Sequence, residues 1–214
     1  MPKRPSPARR SPSFAQCFGF PVATPRARRD LAIGGTLLLL TLPGWILNLG
    51  HRLQVVYFVW SGEPPYFRGF RPWGVTFRHG LLAFTAILIY LAPSLVLGVL
   101  AWLGWPGIPA RILAIAATLL FGVGIFALPG GMTRNAVARD LTYLARPDRA
   151  LRVALAGGRG YLKAWLIAAS AIALSFLGLA VFGIGFLYTS VWAWSVTGFA
   201  FTSALQDEPV GSRW

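Results

Sequence analysis

The sequence predicts an all-α integral membrane protein, with an N-terminal re-entrant or interfacial helical hairpin, about four transmembrane helices after it, and amphipathic surface helices. Three observations predict it. Of the 214 residues, 56% are hydrophobic and 12% charged, a balance far on the apolar side of a soluble domain. Long apolar runs recur, each near the ~20 residues a helix needs to cross the hydrocarbon layer. Basic residues sit between those runs, 20 Lys and Arg against 6 Asp and Glu for a formal net charge of +14. That arrangement suits anionic lipid headgroups and disfavours nucleic acid, which would call for one continuous polar face.

Residues 1–13, "MPKRPSPARRSPS", are rich in Pro, Ser and Arg and have nothing to bury, so they read as a disordered basic tail. They do not read as part of a signal peptide, because the basic stretch is long and the apolar run after it leads into "LPGW" rather than a small-residue cleavage site. A single helical membrane domain is expected over 14–206, with a short tail over 207–214.

The first apolar stretch, "LAIGGTLLLLTLPGWILNLGHRLQVVYFVW" from Leu31 to Trp60, poses the main question of topology. If it crosses once, nine basic residues fall on one side of the bilayer and eleven on the other, which is no bias. If it enters and returns, nineteen fall on one side and only Arg111 on the other, a strong positive-inside pattern. Pro43-Gly44 offers a turn in mid-segment. Asn48, His51, Arg52 and Gln54 make the second limb too polar to face lipid. The dipping hairpin is the preferred reading and a complete crossing stands as its alternative; the hairpin places both termini in the cytoplasm and the chain in the inner (cytoplasmic) membrane.

The remaining runs are Leu81 to Leu103, Ile112 to Leu128, and Ala164 to Leu205, the last long enough for two crossings with a break expected at "FGIG", Phe182 to Gly185. Backbone amides in lipid must be paired internally, so these are helices, with Pro93 kinking its helix rather than ending it. Between the second and third runs lies "MTRNAVARDLTYLARPDRALRVALAGGRGYLK", which predicts two short surface helices. Val137, Leu141 and Leu144 share the face of one; Asp148 caps the other, which ends at Gly157-Gly158. A solvated loop is the other reading of this segment. The headgroup contacts expected are Arg26, Arg28, Arg29, Arg134 and Arg139.

Gly185, Thr189, Ala193 and Thr197 recur every fourth residue and form a small-residue stripe on the last helix. Such a stripe lets backbones approach closely, either within the chain or against a partner. Trp192 and Trp194 fall inside the same helix, where they pack against neighbours or hold a hydrophobic cofactor.

Reactive chemistry is sparse. Cys17 is the one cysteine, which excludes an intramolecular disulfide and a cysteine metal cluster. His51 and His79 have no His, Cys or carboxylate at metal-ligand spacing. No acid lies inside an apolar run, no phosphate-loop or zinc-protease motif occurs, and Ser170 and Ser175 read as bonding their own helix backbone. No catalytic residue, metal site or cofactor is assigned; a bound lipid or pigment remains open.

Gly50, Gly62, Glu63, Pro65, Phe67, Trp73, Phe77, Gly80 and Leu81, within "GHRLQVVYFVWSGEPPYFRGFRPWGVTFRHGLL", carry a resemblance. The block resembles a signature of a prokaryotic multi-pass membrane family, domain of unknown function number four thousand and thirteen. "FGFPVATPRARRDLAIGG" and "GYLKAWL" are similar to that family's entry into its first apolar segment and the start of its last helical pair. His51 stands where the family tends to have Tyr, and Arg71 and His79 make an often acidic connection basic. The resemblance implies a membrane fold and brings no activity. In the block itself, Gly62 through Pro65 must break a helix, and Trp73 and Phe77 lie on one face to anchor the next at the interface.

The function expected is a non-catalytic scaffold or accessory subunit of a larger membrane complex, for example a respiratory or photosynthetic assembly. Its partners would be other membrane subunits and anionic lipids. The alternative is a small transporter or channel-like oligomer; a membrane-embedded enzyme ranks third.

Overall fold

The computed structural model describes residues 12–62, 69–104 and 107–206. Among them the protein is all-α: helices joined by short turns, with no strand. Four helical segments are long and apolar enough to cross a membrane, which makes the chain fit a multi-pass membrane protein. Of the expected tails over 1–13 and 207–214, residues 1–11 and 207–214 lie outside the described residues, as do Glu63, Pro65 and Phe67 of the connector.

Helix α1 (Phe14–Gly19) and a 3-10 turn (Phe20–Val22) lead into α2 (Pro25–Leu37). Helix α2 starts cleanly because the Thr24 hydroxyl accepts from the Ala27 N–H while Pro25 occupies the first turn, where its missing N–H costs nothing. A second 3-10 turn (Leu38–Leu40) and Thr41 reverse the chain into α3 (Leu42–Ser61). The two helices run antiparallel: Asp30 faces His51, Gly34 faces Asn48, and Leu37 faces Gly44. The turn therefore falls at Leu38–Thr41 rather than at Pro43-Gly44. Pro43 sits in the first turn of α3, and Gly44 lacks the Cβ that would otherwise overlap the Leu37 carbonyl. Helix α3 ends with Gly62 in the left-handed region at φ 64, the conformation in which a glycine closes a helix without a Cβ penalty.

Helices α4 (Trp73–Leu103) and α5 (Ile108–Ala138) form a long antiparallel pair. Pro93 lies inside α4, as expected. Helix α5 differs from expectation, since it runs ten residues past the predicted end at Leu128, straight through Pro129. Tyr161 explains how. Proline removes one helical bond and crowds the preceding turn, and the Tyr161 hydroxyl enters the opened ladder, donating to the Phe126 carbonyl at 2.6 Å and accepting from the Gly130 N–H at 3.1 Å.

The first predicted surface helix is corrected accordingly. Val137 belongs to the end of α5, the chain turns at Arg139 with φ 55, and only α6 (Thr142–Ala145) follows, so Leu144 is buried while Leu141 is exposed. Helix α7 (Pro147–Ala156) is the second surface helix, burying Ala150, Val153 and Ala154 against α5. Asp148 lies in its first turn and pairs with Arg146 and Arg152 instead of capping it; Arg146 occupies the cap position.

Helix α8 (Gly158–Ser175), continued by a 3-10 turn (Phe176–Ala180), pairs with α9 (Ile184–Leu205). The break between them falls at Val181–Gly183, where Phe182 and Gly183 both take positive φ, within a residue of the place expected. Large apolar side chains point outward along the far halves of α4 and α5 and around the α8–α9 turn, where Phe182 is 96% exposed. The principal core lies where α8, α9 and α1 meet, around Tyr161, Ile167, Val196 and Phe201.

Candidate functional site

The polar residues of the hairpin converge at its open end. Asp30 on α2 and His51 on α3 are each 5% exposed, with the carboxylate oxygen 3.2 Å from Nε2. The imidazole is stacked on Phe70, centroids 4.3 Å apart and planes 13° from parallel, and Phe70 stacks in turn on Trp73 at 5.6 Å. One helical turn deeper, the Asn48 amide donates to the carbonyls of Gly34 and Gly44, tying the two limbs together. Gln54 donates to the Thr76 hydroxyl, which donates to the Phe70 carbonyl and so pins the segment before α4. Arg52, half-buried, lies with its aliphatic stem against Gly198 of α9. A buried acid–base pair and an aromatic lid thus adjoin a cavity of about 450 Å³ lined by Arg26, Arg29, Asp30, Phe70, Arg71 and Trp73.

This site went unread in the sequence. Asp30 precedes the apolar run instead of interrupting it, and a turn at Pro43-Gly44 would place it opposite Tyr57. Moving the turn about three residues earlier brings His51 opposite, and that shift is visible only in the fold. No acid lies inside an apolar run, yet packing of α2 against α3 encloses Asp30 all the same.

The residues singled out beforehand are scattered. The small-residue stripe is consumed inside the chain. Gly185 meets the Gly178 backbone, Thr189 donates to the Ser175 carbonyl at 2.6 Å, and Ala193 and Thr197 are buried. Arg26, Arg28 and Arg29 are exposed on α2, and Arg139 is exposed at the end of α5, its guanidinium 5.1 Å from the Tyr57 ring centroid. Arg134 differs from expectation: it is 5% exposed, over the Trp60 ring at 5.5 Å, and so lies inside the protein, away from the surface. Gly50 and Gly80 come together, since a Cβ on either would overlap the carbonyl of Thr76 or Ile46, and they mark where the backbones of α3 and α4 cross. Trp73 and Phe77 are exposed. Trp192 donates to the Phe18 carbonyl at 3.2 Å and Trp194 lies 6.3 Å from Trp45, so both are engaged within the chain. Ser175 bonds its own helix at Ile172.

Among the described residues no three His, Cys, Asp or Glu gather as a metal ion would require. No family model, curated protein or solved structure matches the chain.

Proposed function

We propose that this protein is a non-catalytic multi-pass subunit of the inner (cytoplasmic) membrane that scaffolds or accompanies other membrane proteins, with both termini on the cytoplasmic side. The observation that carries the reading is the outward apolar surface. Trp102, Leu103 and Ile108 at the α4–α5 turn and Leu177, Phe182 and Ile184 at the α8–α9 turn are all more than half exposed, a surface for lipid and neighbouring helices. Polar side chains, by contrast, are spent on holding the chain's own helices in register. The sidedness rests on the basic residues that gather at the opposite ends of these helices, Arg26, Arg29, Arg71 and Arg139 among them. Membership of the family of unknown function named above is part of this proposal. It rests on the sequence block alone, of which Gly50 and Gly80 meet at one helix crossing.

Mild solubilisation of native membranes, followed by affinity purification and sizing, tests the role. A particle much larger than 23.2 kDa plus its detergent, with other chains in fixed ratio, is expected. A lone chain or homo-oligomer that conducts solute in liposomes would overturn it.

A second reading is favoured by the Asp30–His51 pair. An enclosed acid–base couple beside a cavity is the kind of group that carries protons in coupled transporters. Under that reading Asp30→Asn abolishes proton-coupled flux while the folded protein persists; under the scaffold reading the variant leaves complex composition unchanged.

A further inference from the structure

A second, larger cavity of about 610 Å³ lies where the C-terminal half of α3 meets the first turns of α4 and the last turns of α5. Its polar wall consists of Gln54, Tyr57, Arg71, His79, Asn135 and Arg139. Its apolar wall includes Leu53, Val75, Leu82 and Leu141. Among the described residues no carboxylate lines it, whereas two guanidinium groups do, those of Arg71 and Arg139. His79 adds a buried Nδ1 that lacks a hydrogen-bond partner.

The surrounding backbone sharpens the preference. Helix α4 begins at Pro72 and Val75 in the cavity wall, and no side chain caps it, so the positive end of a 31-residue helix opens beside the pocket. The negative end of α5 also approaches, but its Asn135 carbonyl already accepts the Arg139 N–H, and the Arg139 guanidinium is held there over Tyr57. Two guanidinium groups, a helix N-terminus and neutral donors at one pocket select an anion with several acceptor oxygens. The apolar wall selects one attached to hydrocarbon.

We propose that this cavity binds the phosphate group of an anionic amphiphile, with Arg71 and Arg139 as its charge partners and the Leu53–Leu82–Leu141 side taking the chain. Phosphate chemistry is what the polar wall recognises, and an anionic phospholipid supplies it together with the hydrocarbon. The site is independent of whether the protein scaffolds or transports.

Full-length protein in neutral detergent, titrated with dioctanoyl phosphatidylglycerol and followed by native mass spectrometry, tests the proposal. One lipid per chain is expected, bound at least tenfold more tightly than dioctanoyl phosphatidylcholine. Arg71→Ala/Arg139→Ala should weaken it tenfold or more, whereas Arg26→Ala/Arg28→Ala, which removes as much charge from the exposed face of α2, should change it less than twofold. Ala136→Trp fills the cavity with every cation retained and should also abolish binding, which covers the event that the double variant misfolds. Inorganic phosphate separates the sources: displacement of the lipid at low millimolar concentration identifies a soluble phosphate site, and failure to displace identifies a lipid site. Equal retention of the two lipids, or parental affinity in Ala136→Trp, would overturn the proposal.

Discussion

At the residue scale, the Asp30–His51 pair shows how a chain with few charges hides one. Each partner removes the other's need for water, and Phe70 closes the open face of the imidazole. Asp30→Ala leaves a buried ring nitrogen without that acceptor, which costs about 1–3 kcal/mol. A drop of that size in unfolding free energy in mixed micelles is the expected result; an unchanged value would show that the pair contributes no net stability. Cys17 makes a contrasting case. It is wholly buried, and burial pushes its thiol up to about 11 from an ordinary 9.0 despite the opposing charge of Lys163. The thiolate is the reacting species, so native protein should resist maleimide at neutral pH and react only after denaturation. Native Cys17 is for this reason useless as a reporter of topology.

At the element scale, two devices decide how the helices meet. Gly50 and Gly80 let α3 and α4 touch backbone to backbone, so Gly50→Leu must push the helices apart. Overpacking of this kind costs about 1–3 kcal/mol, and the expected readout is a lowered melting temperature, with loss of the Gln54–Thr76 bond seen as faster amide exchange at the start of α4. Tyr161 splices the ladder of α5 beside Pro129. Tyr161→Phe keeps the ring and strands the Phe126 carbonyl and the Gly130 N–H, a loss of about 1–3 kcal/mol; a neutral result would mean that α5 closes the gap by itself. On α7, donation from Arg146 and then Arg152 holds the Asp148 carboxyl below its ordinary 3.8. A depressed carboxylate stabilises above the unfolded pKa and loses that contribution as pH falls through the folded one. Protection of the first turn of α7 from exchange should therefore be flat from neutral pH down to about 4 and decline below it.

At the scale of the whole molecule, the N-terminal pair is the feature on which sidedness depends. Its turn carries Leu39, Leu40 and Leu42, all half or more exposed, and reaches the Tyr188 hydroxyl near the start of α9, where Thr36 lies 3.3 Å away. Such an apolar turn suits the proposed re-entrant hairpin, which would set it in lipid; a turn in water would be polar. A protein otherwise free of cysteine (Cys17→Ser), with a single Cys introduced at exposed Ala23 or at exposed Ile108, gives the test. An impermeant maleimide added outside intact cells should label the Ile108→Cys protein and spare the Ala23→Cys protein. Labelling at position 23 would reverse the orientation or turn the hairpin into a full crossing.

Composition and run length by themselves determined the helical class, the four long apolar helices and the break near Phe182, because the polar backbone must be paired internally in lipid and an unbroken apolar run of about 20 residues does so as a helix. Gly50 and Gly62 were legible as special positions, though Gly50's reason, contact with α4, was not. The reach of α5 past Pro129, the exact residues of the hairpin turn and the burial of Asp30 and Arg134 were decided by tertiary structure alone. Each depends on a group distant in sequence, Tyr161 for the proline, His51 for the aspartate and Trp60 for the arginine, and local pattern carries no information about a partner that only packing supplies.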